Sequence, residues 1–468
     1  MTNSTNMREE KDLLGTAMVP KDALYGIQTQ RALENFDLGG EPLSNFPELV
    51  QALALVKQAC ALANEDLGLI SKEKLKSIVA VTDEIAAGEH HQAFVVEMIQ
   101  GGAGTSTNMN ANEVIANLGL LHMGHESGDY KFLHPNDDIN RSQSTNDAYP
   151  TAVRLAILQS HHKLVDALTS LKNAFLVKSE EFSGVIKMAR TQLQDAVPMT
   201  LGQEFKAFAS TLGEDIDRIS ELSQLLTEIN LGGTAVGTGL NAHSSFGQKS
   251  TDHLAKISGY PFVQATDLIE ATSDMGAFVL FSSMLKRLAV KLSKICNDLR
   301  LLSMGPYAGP NEINLPERQP GSSIMPGKVN PVIPEAVSQV AYRIVGHDLS
   351  ITMAAEAGQL QLNAMEPLIT YCVLDSIEYL TKAMIMLETR CIVGITANEE
   401  HCRNMVNNSI GVITAINPYI GYENASRIAK KALATNQNVI ELVRAEALMT
   451  DEQLDEVLKP ENMIRSHN

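Results

Sequence analysis

The chain has 468 residues, more than one compact core holds, with 37 basic against 55 acidic residues and a formal net charge of −18. That acidity argues against nucleic acid and anionic membrane surfaces as partners, while leaving small anionic substrates open. Its apolar stretches are interrupted before membrane-spanning length, and the polar run Met1–Asn6 lacks the apolar centre of a signal peptide, so a soluble, cytoplasmic protein is expected.

Residues 1–142 mix short helical patterns with Gly- and Pro-rich turns; Val19–Gly26 reads as a loop entering a turn. The middle, 143–396, is different. Ile157, His161, Leu164, Leu168, Leu171 and Phe175 recur at steps of three and four, the seam of a long helix. A second stripe runs from Phe205 to Ile229, a third from Phe281 to Leu302, a fourth from about Glu335 to Ser350, and a fifth from Leu368 to Ile395. No proline interrupts them. Some of these helices carry apolar residues on more than one face, which a monomer cannot cover, so a homo-oligomeric bundle is expected. From 397 to 468 the pattern shortens, with Gly411, Pro418 and Gly421 breaking it into the small helices of a C-terminal cap. The fold class is therefore mainly α, in three domains, with a central long-helix bundle assembled across subunits.

Five scattered cysteines (Cys60, Cys296, Cys372, Cys391 and Cys402) contain no Cys-x-x-Cys spacing and suggest neither a zinc site nor a disulfide framework. Among apolar neighbours they read as buried thiols. The pairs His90-His91 and His161-His162 fall on helix-like sequence and read as solvated or partly buried rather than metal-binding.

Four polar strings stand out from this framework. Gln100–Asn110 carries three glycines that let backbone amides approach an anion, with Thr105 adding a hydroxyl. It lacks the Gly-Lys-Ser/Thr ending of a phosphate loop. Ser142–Asp147, followed by Pro150, supplies hydroxyls and amides ahead of the first long helix, where the same residue types also serve as caps. Arg190–Pro198 is again polar and leads toward a long helix. Gly321–Pro331 combines Ser322, Ser323, Lys328 and Asn330 between glycines that free the backbone and prolines that resist helix, as a lid over an anionic substrate requires. A fifth string, Gly237–Ala242, superficially fits a dinucleotide fingerprint, but no strand precedes it and no helix opens cleanly after it.

In this order the four strings, with Glu356–Gln359 and Leu362–Pro367, resemble the fumarase/aspartase superfamily over essentially the whole chain. Members that hydrate fumarate carry His after the Arg-Thr pair; this chain has Gln192, which resembles the ammonia-lyase branch. The resemblance implies reversible conversion of L-aspartate to fumarate and ammonia. It places Thr105, Ser144, Thr145 and Ser323 around the β-carboxylate, Lys328 at the α-carboxylate, and Asn146, Thr191, Gln192 and Asn330 around the amino group. Ser322 is the implied general base, and a Gln192–Glu335 contact replaces a His–carboxylate pair. The resemblance also implies a homotetramer with active sites shared between subunits. No cofactor is required; activation by a divalent cation is known in such enzymes, but no ligand set is legible for it. One departure stands out: Tyr307 occupies the arginine position of a Gly-Pro-Arg-Ala-Gly pattern, and Pro310 follows. The alternatives are a fumarate hydratase, which Gln192 disfavours, and a non-catalytic structural protein on the same fold.

Overall fold

The computed structural model describes residues 6–321, 324–325 and 327–463. The chain opens with a hairpin of β1 (Met7–Asp12) and β2 (Gly15–Pro20), followed by α1 (Ile27–Asn35), α2 (Pro47–Asp66), α3 (Lys72–Ala86) and α4 (Thr105–His122). Next come α5 (Thr145–Glu181), a hairpin of β3 (Ile186–Thr191) and β4 (Gln194–Thr200), and α6 (Leu201–Ser223). The short strands β5 (Glu228–Ile229) and β6 (Val263–Gln264) pair in parallel around α7 (Phe246–Ser258), and α8 (Leu268–Ser273) leads into α9 (Gly276–Leu302). Beyond β7 (Ile313–Asn314) lie α10 (Val332–Glu356) and α11 (Glu366–Arg390), then β8 (Thr396–Ala397). The remainder is α12 (Glu399–Asn408), α13 (Ile413–Ile420), α14 (Tyr422–Thr435), α15 (Val439–Ala445), α16 (Asp451–Val457) and α17 (Pro460–Met463).

The mainly helical architecture and the five long helices agree with the apolar stripes. Two ends differ. The second stripe overruns its helix: α6 stops at Ser223, and Leu226 and Ile229 belong to a 3-10 turn and to β5. The first long helix starts before its proline rather than after it, at Thr145. Pro150 lacks the N–H that would bond the Asn146 carbonyl. The Asn230 side chain supplies the missing donor, its Nδ2 lying 2.9 Å from that oxygen.

The chain divides into two compact units whose boundaries fall inside the five long helices. The first comprises Met1–Val165, Asp217–Arg287 and Arg343–Tyr379. In it α2 packs against α3 and α7, and α3 against α4. Residues 107–120 of α4 are all buried, polar ones included. One of them, Glu113, accepts the N–H groups of Gly26, Gln28 and Thr29 at 2.9, 2.8 and 3.1 Å. A helix start lacking its own side-chain cap is thereby satisfied from 84 or more residues away. The second unit comprises Asp166–Ile216, Leu288–Tyr342 and Leu380–Asn468. Phe175, Phe182, Phe205 and Phe208 form an aromatic knot there, with neighbouring ring centroids 5.2–5.9 Å apart. Ile186 and Met188 of β3 join Val406, Ile416, Ile428, Val443 and Leu454 in the core of the C-terminal helices.

All five cysteines are free and buried. Burial pushes the Cys372, Cys391 and Cys402 thiols up to about 12, and Cys60 and Cys296 further still.

Asn230→Ala should cost about 1–3 kcal/mol, the usual penalty of an unsatisfied buried acceptor. Adding Pro150→Ala, which restores the helical N–H, should recover part of that loss. Urea melts of the two single variants and the double variant measure the coupling directly; strictly additive effects would show that Asn230 does not stand in for the absent donor.

Candidate active site

The first unit holds the residues at the starts of α4 and α5. Gly102, Ala103 and Gly104 have φ of 92°, 53° and 89°, three successive left-handed residues that end in the first turn of α4. At Gly104 a side chain is excluded twice over, since a Cβ would also lie 2.5 Å from the Tyr149 ring. Thr105, exposed at the helix start, donates its hydroxyl to the Gly102 carbonyl at 2.7 Å.

Ser144 and Asp147 form a reciprocal cap at the start of α5. The Ser144 Oγ accepts the Asn146 N–H at 3.3 Å, and Asp147 Oδ1 accepts the Ser144 N–H at 2.9 Å. Asp147 is fully buried, and its Oδ2 takes the N–H groups of Gly232 and Thr234, both at 3.0 Å. Burial pushes its carboxyl up to about 6, against the pull of those three N–H groups and of Lys57. The Thr145 Oγ accepts Asn108 Nδ2 at 3.1 Å. Asn146 donates through Nδ2 to the Ala235 carbonyl at 2.7 Å. These directions matter chemically. Ser144 and Thr145 use their hydroxyl oxygens as acceptors toward the protein, keeping their O–H groups for an anion. Asn146 uses its NH₂, keeping Oδ1 for a donor such as an amine.

Behind this row lies a residue that the sequence reading missed. Lys57 of α2 is fully buried and donates to Asn108 Oδ1, Asn140 Oδ1 and Gln143 Oε1 at 2.7, 2.9 and 2.8 Å. Through Asn108 it positions Thr145. Burial pushes its ammonium down to about 8, opposed by Cys60 and Asp147. Its one sequence signal is a lone lysine in the apolar run Leu53-Ala54-Leu55-Val56.

The second unit holds the other candidates. Thr191 and Gln192 do not lead directly into a helix: they sit at the tip of the β3–β4 hairpin, both exposed. Gln192 and Leu193 have φ of 54° and 63°, values that hairpin turns normally give to Asn or Gly. The hairpin is held by a buried charge network. Lys187 lies 2.5 Å from Glu204 and 2.6 Å from the fully buried Glu312, which also pairs with Arg190. Among the described residues no hydrogen bond joins the exposed hairpin tip to the start of α10, where Glu335 lies.

Ser322 and Ser323 lie outside the described residues. The loop that carries them has a tight neck. Asn330 Nδ2 donates to the Gly321 carbonyl at 2.8 Å, and a Cβ on Gly321 would sit 2.0 Å from the Lys328 carbonyl. Lys328 is exposed. Lys328 and Asn330 line a cleft of about 890 Å³ with Arg300, Met304, Asn311 and Asn314. Tyr307, in the arginine position, is 99% exposed, so this departure removes no buried contact from the chain. The rejected string at 237–242 is not bounded directly by a strand or a helix: β5 ends eight residues earlier and α7 opens at Phe246. A Cβ on Gly237 would lie 2.4 Å from the Ile269 backbone, so this glycine serves a close chain approach.

The chain is similar to known proteins over nearly its whole length. Residues 15–346 match the family described as lyase, and residues 412–465 the one described as the fumarase C C-terminus. Among solved structures, the cobalt-bound fumarate lyase:delta crystallin of Brucella melitensis superposes with a TM-score of 0.96 at 54% identity, covering 98% of this chain and all of that one. The class II fumarase of Schistosoma mansoni gives 0.92 at 34% identity, covering 99% of this chain and 100% of that one. These place the chain among fumarase-type lyases. Its curated relatives are narrower in kind. The aspartate ammonia-lyase of Pseudomonas canavaninivorans is 64% identical over 99% of this chain and 98% of that protein; that of Escherichia coli K12 is 52% identical over 98% and 97%. The chain belongs to the aspartate ammonia-lyase family, carbon–nitrogen lyases of the fumarase/aspartase superfamily.

Lys57→Met should lower turnover about tenfold to a hundredfold, less than the loss of a donor that touches substrate. It should also destabilise the chain by on the order of 3 kcal/mol, because the buried Asn108 Oδ1 and the partly buried Gln143 Oε1 lose this donor. The charge on Lys57 is present below pH 8 and lost as pH rises through about 8. The parent's turnover should therefore fall on that alkaline limb, and Lys57→Met should lack it. Profiles of kcat from pH 6 to 10 test this; an identical alkaline limb in the variant would remove Lys57 from the site's electrostatics.

Proposed function

We propose that the chain catalyses the reversible elimination of ammonia from L-aspartate to give fumarate, with Ser322 as general base. Ser322 Oγ, acting as the alkoxide, takes a proton from Cβ and becomes the neutral hydroxyl, while the electron pair moves into the β-carboxylate to form a doubly charged aci-carboxylate. That pair then returns to form the double bond as the C–N bond breaks and the amine leaves with its electrons. The barrier is set by how well the site holds the extra charge. Thr105, Ser144, Thr145 and Ser323 are the proposed donors to the β-carboxylate, Lys328 the partner of the α-carboxylate, and Asn146, Thr191, Gln192 and Asn330 the amine's surroundings. The hydrogen-bond directions at the start of α5 carry this reading. Two hydroxyls are free to donate and one amide oxygen is free to accept, with the buried Lys57 charge behind them. The Thr105 hydroxyl has to turn from the Gly102 carbonyl to take part. Electrons and protons balance in this scheme without an organic cofactor.

We further infer a homotetramer with sites shared between subunits. Tyr342, Val345, Leu349 and Met353 form one exposed apolar face along α10, and Leu280, Val290 and Ile385 are exposed on α9 and α11. Faces of this kind call for partners. Thr191 and Gln192 at an exposed tip fit a site completed by another chain. Five free thiols suit a reducing cytoplasm.

Given fumarate, the protein should form aspartate when ammonium is present and little or no malate when it is absent. Neutral amides at 146 and 192 suit an amine, and no histidine activates water there. Fumarate consumption with chromatographic identification of products decides the matter; rapid malate formation would promote the hydratase reading, and no turnover of either kind the structural one.

Sharing has its own test. Ser322→Ala and Thr191→Ala should each lose about 10²–10⁴ in turnover. Subunits of the two variants, mixed and reassembled, should regain activity in hybrid sites; well-mixed hybrids as inactive as their parents would show that each site is built from one chain.

A further inference from the structure

Outside the candidate active site, the ends of α3 and α4 bring together a mixed nitrogen and oxygen donor set. Glu84 lies in the last turn of α3. The chain then turns through Gly88, at φ 100°, and returns His90, itself left-handed at φ 61°, toward the helix it has just left. His90 therefore does not lie on a helix, as its sequence suggested. Ligand atoms of Glu84, Glu89 and His90 all fall within 4.8 Å of one another. His122, the last residue of α4, approaches from a second helix. His90 Nε2 is 3.3 Å from Glu84 Oε2, and His122 Nε2 is 3.4 Å from Glu84 Oε1.

Three physical points favour a cation here. First, 3.3 and 3.4 Å exceed the roughly 2.7–2.9 Å of charge-assisted hydrogen bonds. The 3.3 Å between His90 Nε2 and Glu84 Oε2 is close to the edge of a tetrahedron of ligands at about 2.0–2.1 Å from a shared metal. Second, Glu84 and Glu89 sit at the C-terminal end of α3, where the helix dipole disfavours anions. Among the described residues the ion-pair partners of Glu84 are these two histidines. Third, the histidines and Glu84 are only partly buried, with side-chain exposures of 27%, 36% and 32%, so an ion can enter from solvent. Imidazole with carboxylate suits zinc and its first-row neighbours better than magnesium or calcium, which prefer all-oxygen sites.

We propose that Glu84, Glu89 and His90 bind a divalent transition-metal ion at the turn leaving α3, with His122 of α4 held beside the site through Glu84. The inference stands apart from the proposed lyase chemistry and uses none of its residues.

The test is titration of zinc ion alone into metal-stripped full-length protein by calorimetry. Binding of about one ion per chain is expected, coupled to a rise in melting temperature, since a ligand of the native state alone stabilises it. Glu84→Gln and His90→Asn, the latter tolerating a left-handed backbone, should each weaken binding at least tenfold. His122→Ala should weaken it less, and His401→Ala, in the other unit, should leave it unchanged. Zinc K-edge absorption should fit nitrogen and oxygen ligands only. Parent-like binding in both Glu84→Gln and His90→Asn, or a sulfur shell, would overturn the proposal. The melting temperature of each variant without zinc shows that it is folded; should either fail to fold, the Glu89→Gln variant carries the same expectation.

Discussion

A single buried carboxylate fixes the geometry on which the candidate residues of the first unit depend. Asp147 closes the start of α5 through the Ser144 N–H and, with its second oxygen, gathers the Gly232 and Thr234 N–H groups from a turn 85 and more residues away. That turn is strained, with Thr234 at φ 56°, and the three N–H bonds to one carboxylate offset the strain. Asn230, at the head of the same turn, completes the α5 backbone at Pro150. Ser144, Thr145 and Asn146 are thus positioned from outside their own helix. Their orientation is set before any substrate arrives, which is what electrostatic stabilisation of a transient charge requires.

The candidate residues of the second unit are organised differently. The β3–β4 hairpin presents Thr191 and Gln192 on a two-residue turn with two left-handed non-glycine residues, and rigidity comes from its base rather than its tip. Lys187, Arg190, Glu204 and Glu312 anchor one strand, and the Ser409 hydroxyl donates to Asp195 on the other at 2.6 Å. Breaking such a buried ion network costs more than its formation gains, so a displaced hairpin is disfavoured even though its tip is in solvent.

The long helices were legible because their apolar residues repeat with helical period, and the C-terminal break-up because Gly and Pro punctuate it. The start of α5 was not, since a proline at the sixth helical residue normally marks a boundary and the compensating Asn230 is remote in sequence. The β3–β4 hairpin was hidden for a related reason: its turn is Gln-Leu rather than Asn-Gly, so no local signal announces it. Of the candidate site, the polar strings were visible as unusual loops, and a resemblance supplied their joint meaning. Lys57 escaped because its acceptors lie 51 to 86 residues away; from sequence it is only a charge in an apolar helix. The turn at His90 escaped because its αL backbone breaks the helix that the local pattern suggested.

The buried cysteines make the native chain nearly inert to electrophiles. A thiol held near 12 presents almost no thiolate at neutral pH, and those at Cys60 and Cys296 present less. Reagents that label or oxidise accessible thiols therefore have no ready target on the folded surface. One cysteine engineered at an exposed point, such as Leu193 on the hairpin or Tyr307 near the cleft, becomes the one readily addressable thiol, since all five natural ones are buried. Fluorophores or spin labels can then report on either feature without first removing the natural thiols, each of which fills space in the core.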